Sequence, residues 1–196
     1  MVKIIRRIVN GLRRGKYDEF TKAEYFRAQG AKIGKNCRIL VYSLASEPWL
    51  VEIGDRVAIS QGVFFLTHDG GVHVFRNEIP TLQSYGKIKI GNNCMIGVNV
   101  ILMPGVTIGD NCVVGAGSVV TRDIPSNSFA FGVPARVLMP IEKYKEKFLE
   151  NWSVQKPPGY GEDIDLSRKD DVAYVSTHLA KELPKIREHF QKTGII

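Results

Sequence analysis

The sequence predicts an all-β solenoid with short helices at its N- and C-terminal ends, and three observations carry the prediction. Ile90, Ile96, Leu102, Ile108, Val114 and Val120 stand six residues apart, and Gly91, Gly97, Gly109 and Gly115 follow four of them. Four positions after each aliphatic residue comes Cys94, Val100, Val106, Cys112, Ser118 or Ile124, mostly small or β-branched. The terminal segments carry helical spacing instead. An α-helix repeats its face every 3.6 residues and cannot hold a period of six. Coils of short strands joined by tight turns can. In each unit the aliphatic side chain points inward, the small residue fills the space beside it, and glycine lets the backbone turn.

Residues 1–30 read as an N-terminal helical cap. Within 2–14, Val2, Ile5, Val9 and Leu12 share one face with arginines around the rest, an amphipathic pattern. Such a face suits either a cover over the open end of the coil or contact with an anionic membrane surface. Lys22 to Gln29 forms a second short helix, stopped by Gly30. The coil occupies 31–140 and starts at Ile33-Gly34-Lys35-Asn36-Cys37, with Ile39 six residues on. A loop at 43–50 interrupts it before Ile53-Gly54-Asp55-Arg56-Val57, Ile59 and Phe65. A second loop, 69–86, contains Gly70, Gly71, Pro80 and Gly86 and is not expected to hold regular structure. A loop of that length inside a compact repeat points to function. Pro125 and Pro134 end strands, because proline has no N–H for a ladder.

Residues 141–196 read as a C-terminal helical extension. Ile141 to Glu150 is a charged helix, and Pro157-Pro158-Gly159-Tyr160-Gly161 is a linker. From Ser167 to Phe190, Val172, Val175, Leu179, Leu183, Ile186 and Phe190 follow helical spacing. Ser167 is the expected N-cap, and Pro184 kinks or splits the segment. The apolar stripe is expected to pack on the coil or on a neighbouring subunit.

At 196 residues the chain is one domain with appendages, and 44% apolar content suffices for a core. No apolar run reaches the roughly 18 residues of a spanning helix. The start, Met1-Val2-Lys3-Ile4-Ile5-Arg6-Arg7, lacks the apolar region of a signal peptide, so a cytoplasmic location is expected. Cys37, Cys94 and Cys112 all occupy the small-residue slot, so buried core thiols are expected rather than a disulfide framework. The net charge is +7, and Lys3, Arg6, Arg7, Arg13, Arg14 and Lys16 concentrate positive charge at one end. No nucleic-acid motif accompanies them, so an anionic cofactor or surface is the expected partner.

Several stretches carry a resemblance. They are Thr67-His68, the run from Ile90 to Gly97, Pro104-Gly105-Val106-Thr107-Ile108-Gly109-Asp110-Asn111, Gly115 to Pro125, and the closing Gly132-Val133-Pro134-Ala135-Arg136-Val137. Over roughly residues 31–140 the chain resembles the hexapeptide-repeat acyltransferases, which include maltose, galactoside and nodulation acetyltransferases. Its loop pair resembles the sugar O-acetyltransferases of polysaccharide gene clusters more than the maltose enzymes. The resemblance implies a left-handed parallel β-helix, against the usual right-handed crossover. It also implies a homotrimer with sites between subunits, acetyl-CoA as co-substrate, a sugar or glycan hydroxyl as acceptor, and no required metal. N-acetylation of an amino (nucleotide) sugar is an alternative, and a non-enzymatic β-helix that only binds partners is a second. Zinc hydratases share the helix but need three histidine ligands, and the repeat region has only His68 and His73.

Moving an acetyl group from a thioester to a hydroxyl needs a base, an oxyanion donor and a grip on the cofactor. An ordinary histidine, with a pKa near 6.5, is mostly neutral yet basic at cellular pH. His68, matching the family's catalytic histidine, is the candidate base. In relatives the loop that follows is usually slightly shorter. Asp69, Asp55, Glu47 and Glu52 are the candidates to orient its ring. By the same resemblance the oxyanion donor is a backbone N–H at Gly97-Val98. This chain departs from many relatives there, with Val98 for a small or hydroxyl residue and Met95 for tryptophan. Gly115 and Ala116 leave room for the pantetheine arm. Thr121 joins the cofactor set, with Arg122 and Arg136 on the phosphates, where forked contacts suit arginine. Glu47, Trp49, His73, Arg76 and Tyr85 lie in the two loops and form the expected acceptor side. Trp49 also suits a core plug.

Overall fold

The computed structural model describes residues 16–194, and the chain divides into two compact units, Met1–Ile141 and Glu142–Ile196. The amphipathic segment 2–14 lies outside the described residues. In the first unit a short helix, α1 (Lys22–Arg27), precedes eleven short strands and a terminal hairpin. The strands are β1 (Lys32–Ile33), β2 (Arg38–Ile39), β3 (Val51–Ile53), β4 (Ala58–Ile59), β5 (Phe64–Phe65) and β6 (Ile88–Ile90). Then come β7 (Met95–Ile96), β8 (Ile101–Leu102), β9 (Thr107–Ile108), β10 (Val113–Val114) and β11 (Val119–Val120). The hairpin is β12 (Ser128–Gly132) and β13 (Ala135–Pro140).

These strands form three sheets, which the chain visits in turn. The first face is β1-β3-β6-β9, the second β2-β4-β7-β10-β12-β13, and the third β5-β8-β11. All neighbours pair in parallel except β12 with β13. Ile90 pairs with Ile108, Ile96 with Val114 and Leu102 with Val120, so one turn of the coil takes three six-residue units. Those six aliphatic side chains are buried, and so is every small residue four positions after them. Cys37, Cys94 and Cys112 are free and buried. The hydrogen bond with Cys112, and then burial, push the Cys94 thiol well up, while the same contact lowers the Cys112 thiol to about 7.

The corner after the first face needs a left-handed residue in each coil, and Asn36, Arg56, Asn93, Asn111 and Asn127 have φ of 53–60°. Asparagine tolerates that region best among non-glycine residues. Its side chains also stack from coil to coil: Asn93 donates to Asn111 at 2.9 Å, and Asn111 to Asn127 at 3.0 Å. Gly91 serves the same stacking differently. A Cβ there would lie 2.8 Å from the Asp110 main-chain nitrogen and 2.8 Å from the Gly109 carbonyl carbon in the next coil. Gly91→Ala is therefore expected to destabilise the coil by about 1–3 kcal/mol, read as a lower unfolding midpoint in denaturant. An unchanged midpoint would show that the coils can part to admit a methyl group.

Several expectations need correction. α1 stops at Arg27 with Ala28 as its C-cap, two residues short of Gln29, while Gly30 turns the chain at φ +98°. The 69–86 excursion is not wholly irregular. A 3-10 helix spans Gly70–Phe75, and the Asp69 carboxylate accepts from the Gly71 N–H at 2.8 Å to start it. Pro134 sits in the turn of the β12–β13 hairpin, and β13 returns antiparallel on the edge of the second face.

In the second unit α2 (Ile141–Gln155) runs five residues beyond Glu150. Ser167 lies inside a 3-10 turn, Leu166–Arg168, started by Asp165. The N-cap is Asp171, whose carboxylate accepts from the Tyr174 N–H at the start of α3 (Val172–Lys181). Pro184 stands in the first turn of α4 (Leu183–Thr193), where no partner for its missing N–H is needed, so the segment is split rather than kinked. Among the described residues no helix is long and apolar enough to cross a membrane.

Candidate active site

His68 follows β5, at the corner where the third face gives way to the first, and both loops meet there. The neck of the 69–86 excursion is closed by Gly86 N–H donating to the Thr67 carbonyl at 2.9 Å and Asp69 N–H donating to the Ser84 carbonyl at 3.0 Å. Tyr85 bridges His68 across this neck, and the two rings meet edge-on at 6.3 Å between centroids. From the other loop Glu47 brings its Oε2 to 2.9 Å from His68 Nδ1. The Thr67 hydroxyl, 1% exposed as a residue, donates to the same oxygen at 2.6 Å.

The Thr67 hydroxyl foremost, and then the His68 ring, hold the Glu47 carboxyl below the ordinary glutamate value. Glu47 is thus an ionised acceptor at neutral pH. A carboxylate only accepts, so His68 Nδ1 carries the proton and the neutral ring keeps its lone pair on Nε2. Of the four candidates to orient His68, Glu47 is the one in contact. Asp69 caps its 3-10 helix, Asp55 accepts from the Lys35 N–H, and Glu52 pairs with Lys32 and Lys87. Glu47, expected on the acceptor side as well, has its carboxylate engaged by Thr67 and His68.

The remaining expected residues divide between positions. Trp49 is 61% exposed on the 3-10 turn Pro48–Leu50, so it is not a core plug; Pro48 is the buried residue there. Arg76 donates to the Gln83 side chain at 3.2 Å within its own loop, and His73 lies on the 3-10 helix. Gly97 and Val98 occupy a different corner, between the second and third faces. The Gly97 N–H is already spent on the Val114 carbonyl at 2.8 Å, so it is not the oxyanion donor. No described hydrogen bond uses the Val98 N–H. Gly115 and Ala116 sit on that same corner one coil on. A Cβ on Gly115 would meet the Phe131 ring at 2.5 Å, so its missing side chain accommodates the hairpin.

Thr121 and Arg122 are exposed on the His68 corner. Since Phe65, Leu102 and Val120 are in register, they lie two strands from His68, about 10 Å along the coil. Arg136 is exposed on β13, and its guanidinium donates to the Ala135 carbonyl. Among the described residues no group of three or more His, Cys, Asp and Glu side chains is placed to hold a metal ion.

Residues 87–122 match the family model described as the hexapeptide repeat of succinyl-transferase. Protein CapG of Staphylococcus aureus is 48% identical over 139 residues, 69% of this chain and 81% of CapG. The chain belongs to the hexapeptide-repeat acyltransferase family. Another family member, the galactoside O-acetyltransferase of Escherichia coli K12, is 40% identical over 124 residues, 63% of this chain; the chain spans 61% of that enzyme's length. A solved hexapeptide-repeat-containing acetyltransferase from Vibrio cholerae superposes with a TM-score of 0.53 at 24% identity, covering 69% of this chain and 90% of that one, a likeness of fold.

Tyr42, Phe64 and Leu66 beside His68 were missed in the sequence. For Phe64 the signal was the outward position of a strand, between Val63 and Phe65, filled by an aromatic residue where a polar one is usual.

Proposed function

We propose that the protein is an acetyltransferase that moves an acetyl group from acetyl-CoA to a hydroxyl of a sugar or glycan precursor, working as a left-handed β-helix in a cytoplasmic homotrimer. The observation that carries this reading is the Glu47–His68 pair, in a chain similar to an O-acetyltransferase. His68 Nε2 takes the acceptor's hydroxyl proton as its oxygen attacks the thioester carbonyl. The Val98 N–H donates to the oxyanion. As the tetrahedral intermediate collapses, the carbon–sulfur bond breaks and the imidazolium returns the proton to the coenzyme A thiolate. The test is acetyl-CoA with an acceptor panel, read as free thiol release. No release above hydrolysis with any hydroxyl or amine acceptor would overturn it.

Assembly follows from the corners. His68 and Val98 lie on different corners, in successive coils, so a second copy must bring a Val98 corner to the His68 corner. The outward residues favour such packing. The first face presents Lys32, Glu52, Lys89 and Thr107, whereas the second presents Arg38, Ala58, Met95 and Val113 and the third Phe64, Ile101 and Val119. Sedimentation is expected to give three times the 21.9 kDa chain; a monomer at micromolar concentration would contradict it.

Arg122 and Arg136, with Thr121 beside them, are the proposed phosphate contacts. Each charge-assisted contact contributes about 1.5–3 kcal/mol. Arg122→Ala and Arg136→Ala are each expected to raise KM for acetyl-CoA on the order of 10–10²-fold while kcat falls less. Loss of kcat at unchanged KM would assign them a structural role.

A further inference from the structure

The Glu47 carboxylate has two partners on one oxygen, and they are unequal. Thr67 Oγ1 donates to Oε2 at 2.6 Å, and His68 Nδ1 lies 2.9 Å from the same atom. Thr67 is 1% exposed as a residue, whereas the side chain of His68 is 47% exposed and that of Glu47 15%. Water competes for the imidazole, so the contact at the ring does little by itself to fix the carboxylate. The Thr67 hydroxyl is out of reach of water. Any rotation that carries Oε2 away leaves a buried donor unpartnered, the costlier loss. The buried bond therefore aims the carboxylate, and the carboxylate aims the ring.

Thr67 is itself pinned. Its carbonyl accepts from the Gly86 N–H at 2.9 Å, and Leu66 before it donates to the Leu102 carbonyl at 2.9 Å in the next coil. Branching at Cβ restricts χ1, so a pinned backbone gives the hydroxyl a defined direction. Glu47 stands on a loop with three side-chain torsions, and ordering them costs entropy. The same bond is the foremost cause of the Glu47 carboxyl lying below its ordinary value, so it keeps the acceptor charged as well as aimed. A neutral imidazole can exchange tautomers, and only the Nδ1–H form leaves a lone pair on Nε2. Asp69, next to His68, is no substitute, because its carboxylate accepts from the Gly71 N–H.

Resting on the proposed acetyl transfer, we propose that Thr67 is a positioning residue: its buried hydroxyl fixes Glu47 and, through Glu47, sets the orientation and tautomer of the base His68. It acts without touching the reacting atoms. Its loss should slow turnover without weakening acetyl-CoA binding, and should cost nothing further once Glu47 is gone.

The test uses the full-length protein with Thr67→Val, Thr67→Ser, Glu47→Ala and the double variant Glu47→Ala/Thr67→Val. Thiol release gives kcat and KM. Nitrogen-15 NMR of the four histidines, with His68 assigned by its absence from His68→Ala, reads the tautomer of the neutral ring. Thr67→Val is expected to lower kcat about tenfold, the scale of one hydrogen bond to a charged acceptor. KM for acetyl-CoA should hold, and the His68 nitrogen shifts should move toward a mixture of tautomers. Thr67→Ser keeps the hydroxyl and should restore both. The double variant should be no slower than Glu47→Ala, because residues that act in one chain of contacts do not add. Additive losses overturn the proposal, and so does a Thr67→Ser as slow as Thr67→Val. If Thr67→Val does not fold, Thr67→Ala carries the same expectations. A tautomer shift restored by serine, with no thiol release even from wild type, keeps the positioning role and removes acetyl transfer. Thiol release by wild type, with kcat and tautomer unmoved in Thr67→Val, does the reverse.

Discussion

His68→Ala is expected to lose about 10²–10⁴-fold in kcat, the usual contribution of a positioned general base. Binding of acetyl-CoA and the subunit assembly should persist. The imidazole is nearly half exposed at a corner, held by Glu47 and edged by Tyr85, and the core does not rest on it. The wild-type rate should fall in acid, because an imidazolium has no lone pair to receive the hydroxyl proton. His73→Ala should cost less and act through KM for the acceptor, since His73 lies out on the 70–75 helix and not beside Glu47. Steady-state kinetics on both variants decides. Turnover abolished by His73→Ala and kept by His68→Ala would move the base to His73. Turnover insensitive to both would remove histidine base catalysis altogether.

Glu47→Ala should cost about 10–10²-fold in kcat with KM for acetyl-CoA unchanged, the scale on which orienting partners of functional histidines act. Without the carboxylate the His68 ring is free to rotate and to take the other tautomer. Glu47→Gln should lose less, because an amide oxygen can still accept from Nδ1. Stability supplies an independent reading. The Glu47 carboxyl is held below its ordinary value of 4.5 by Thr67 first and His68 next. A carboxyl with a depressed folded-state pKa stabilises the fold above its ordinary value. That contribution is lost as pH falls through the depressed one. Glu47→Gln should therefore lower the thermal midpoint at pH 7 relative to wild type, and the difference should shrink in acid. A difference independent of pH would mean that packing, not the charge, accounts for it.

What the sequence determined by itself is the coil and its contents. Local spacing placed Ile90 to Val120 inside, put the cysteines in the core and located both interruptions, because each is a statement about neighbours a few residues apart; His68 was singled out by its resemblance to the family's catalytic histidine, at the edge of the longer interruption. The caps of the second unit were less legible: Asp165 and Asp171 outcompeted Ser167 because their carboxylates reach free N–H groups in two successive turns. The tertiary structure alone decided which carboxylate meets His68. Glu47 is 21 residues away along the chain, and the 43–50 loop carries it to the corner that Thr67 and His68 occupy. It alone showed that Gly97 has spent its N–H on Val114, and that Gly115 is small for Phe131. The physical reason is common to all three. A hydrogen bond or a steric contact between coils depends on which residues the winding stacks, and an inserted loop resets that register without leaving a period in the sequence.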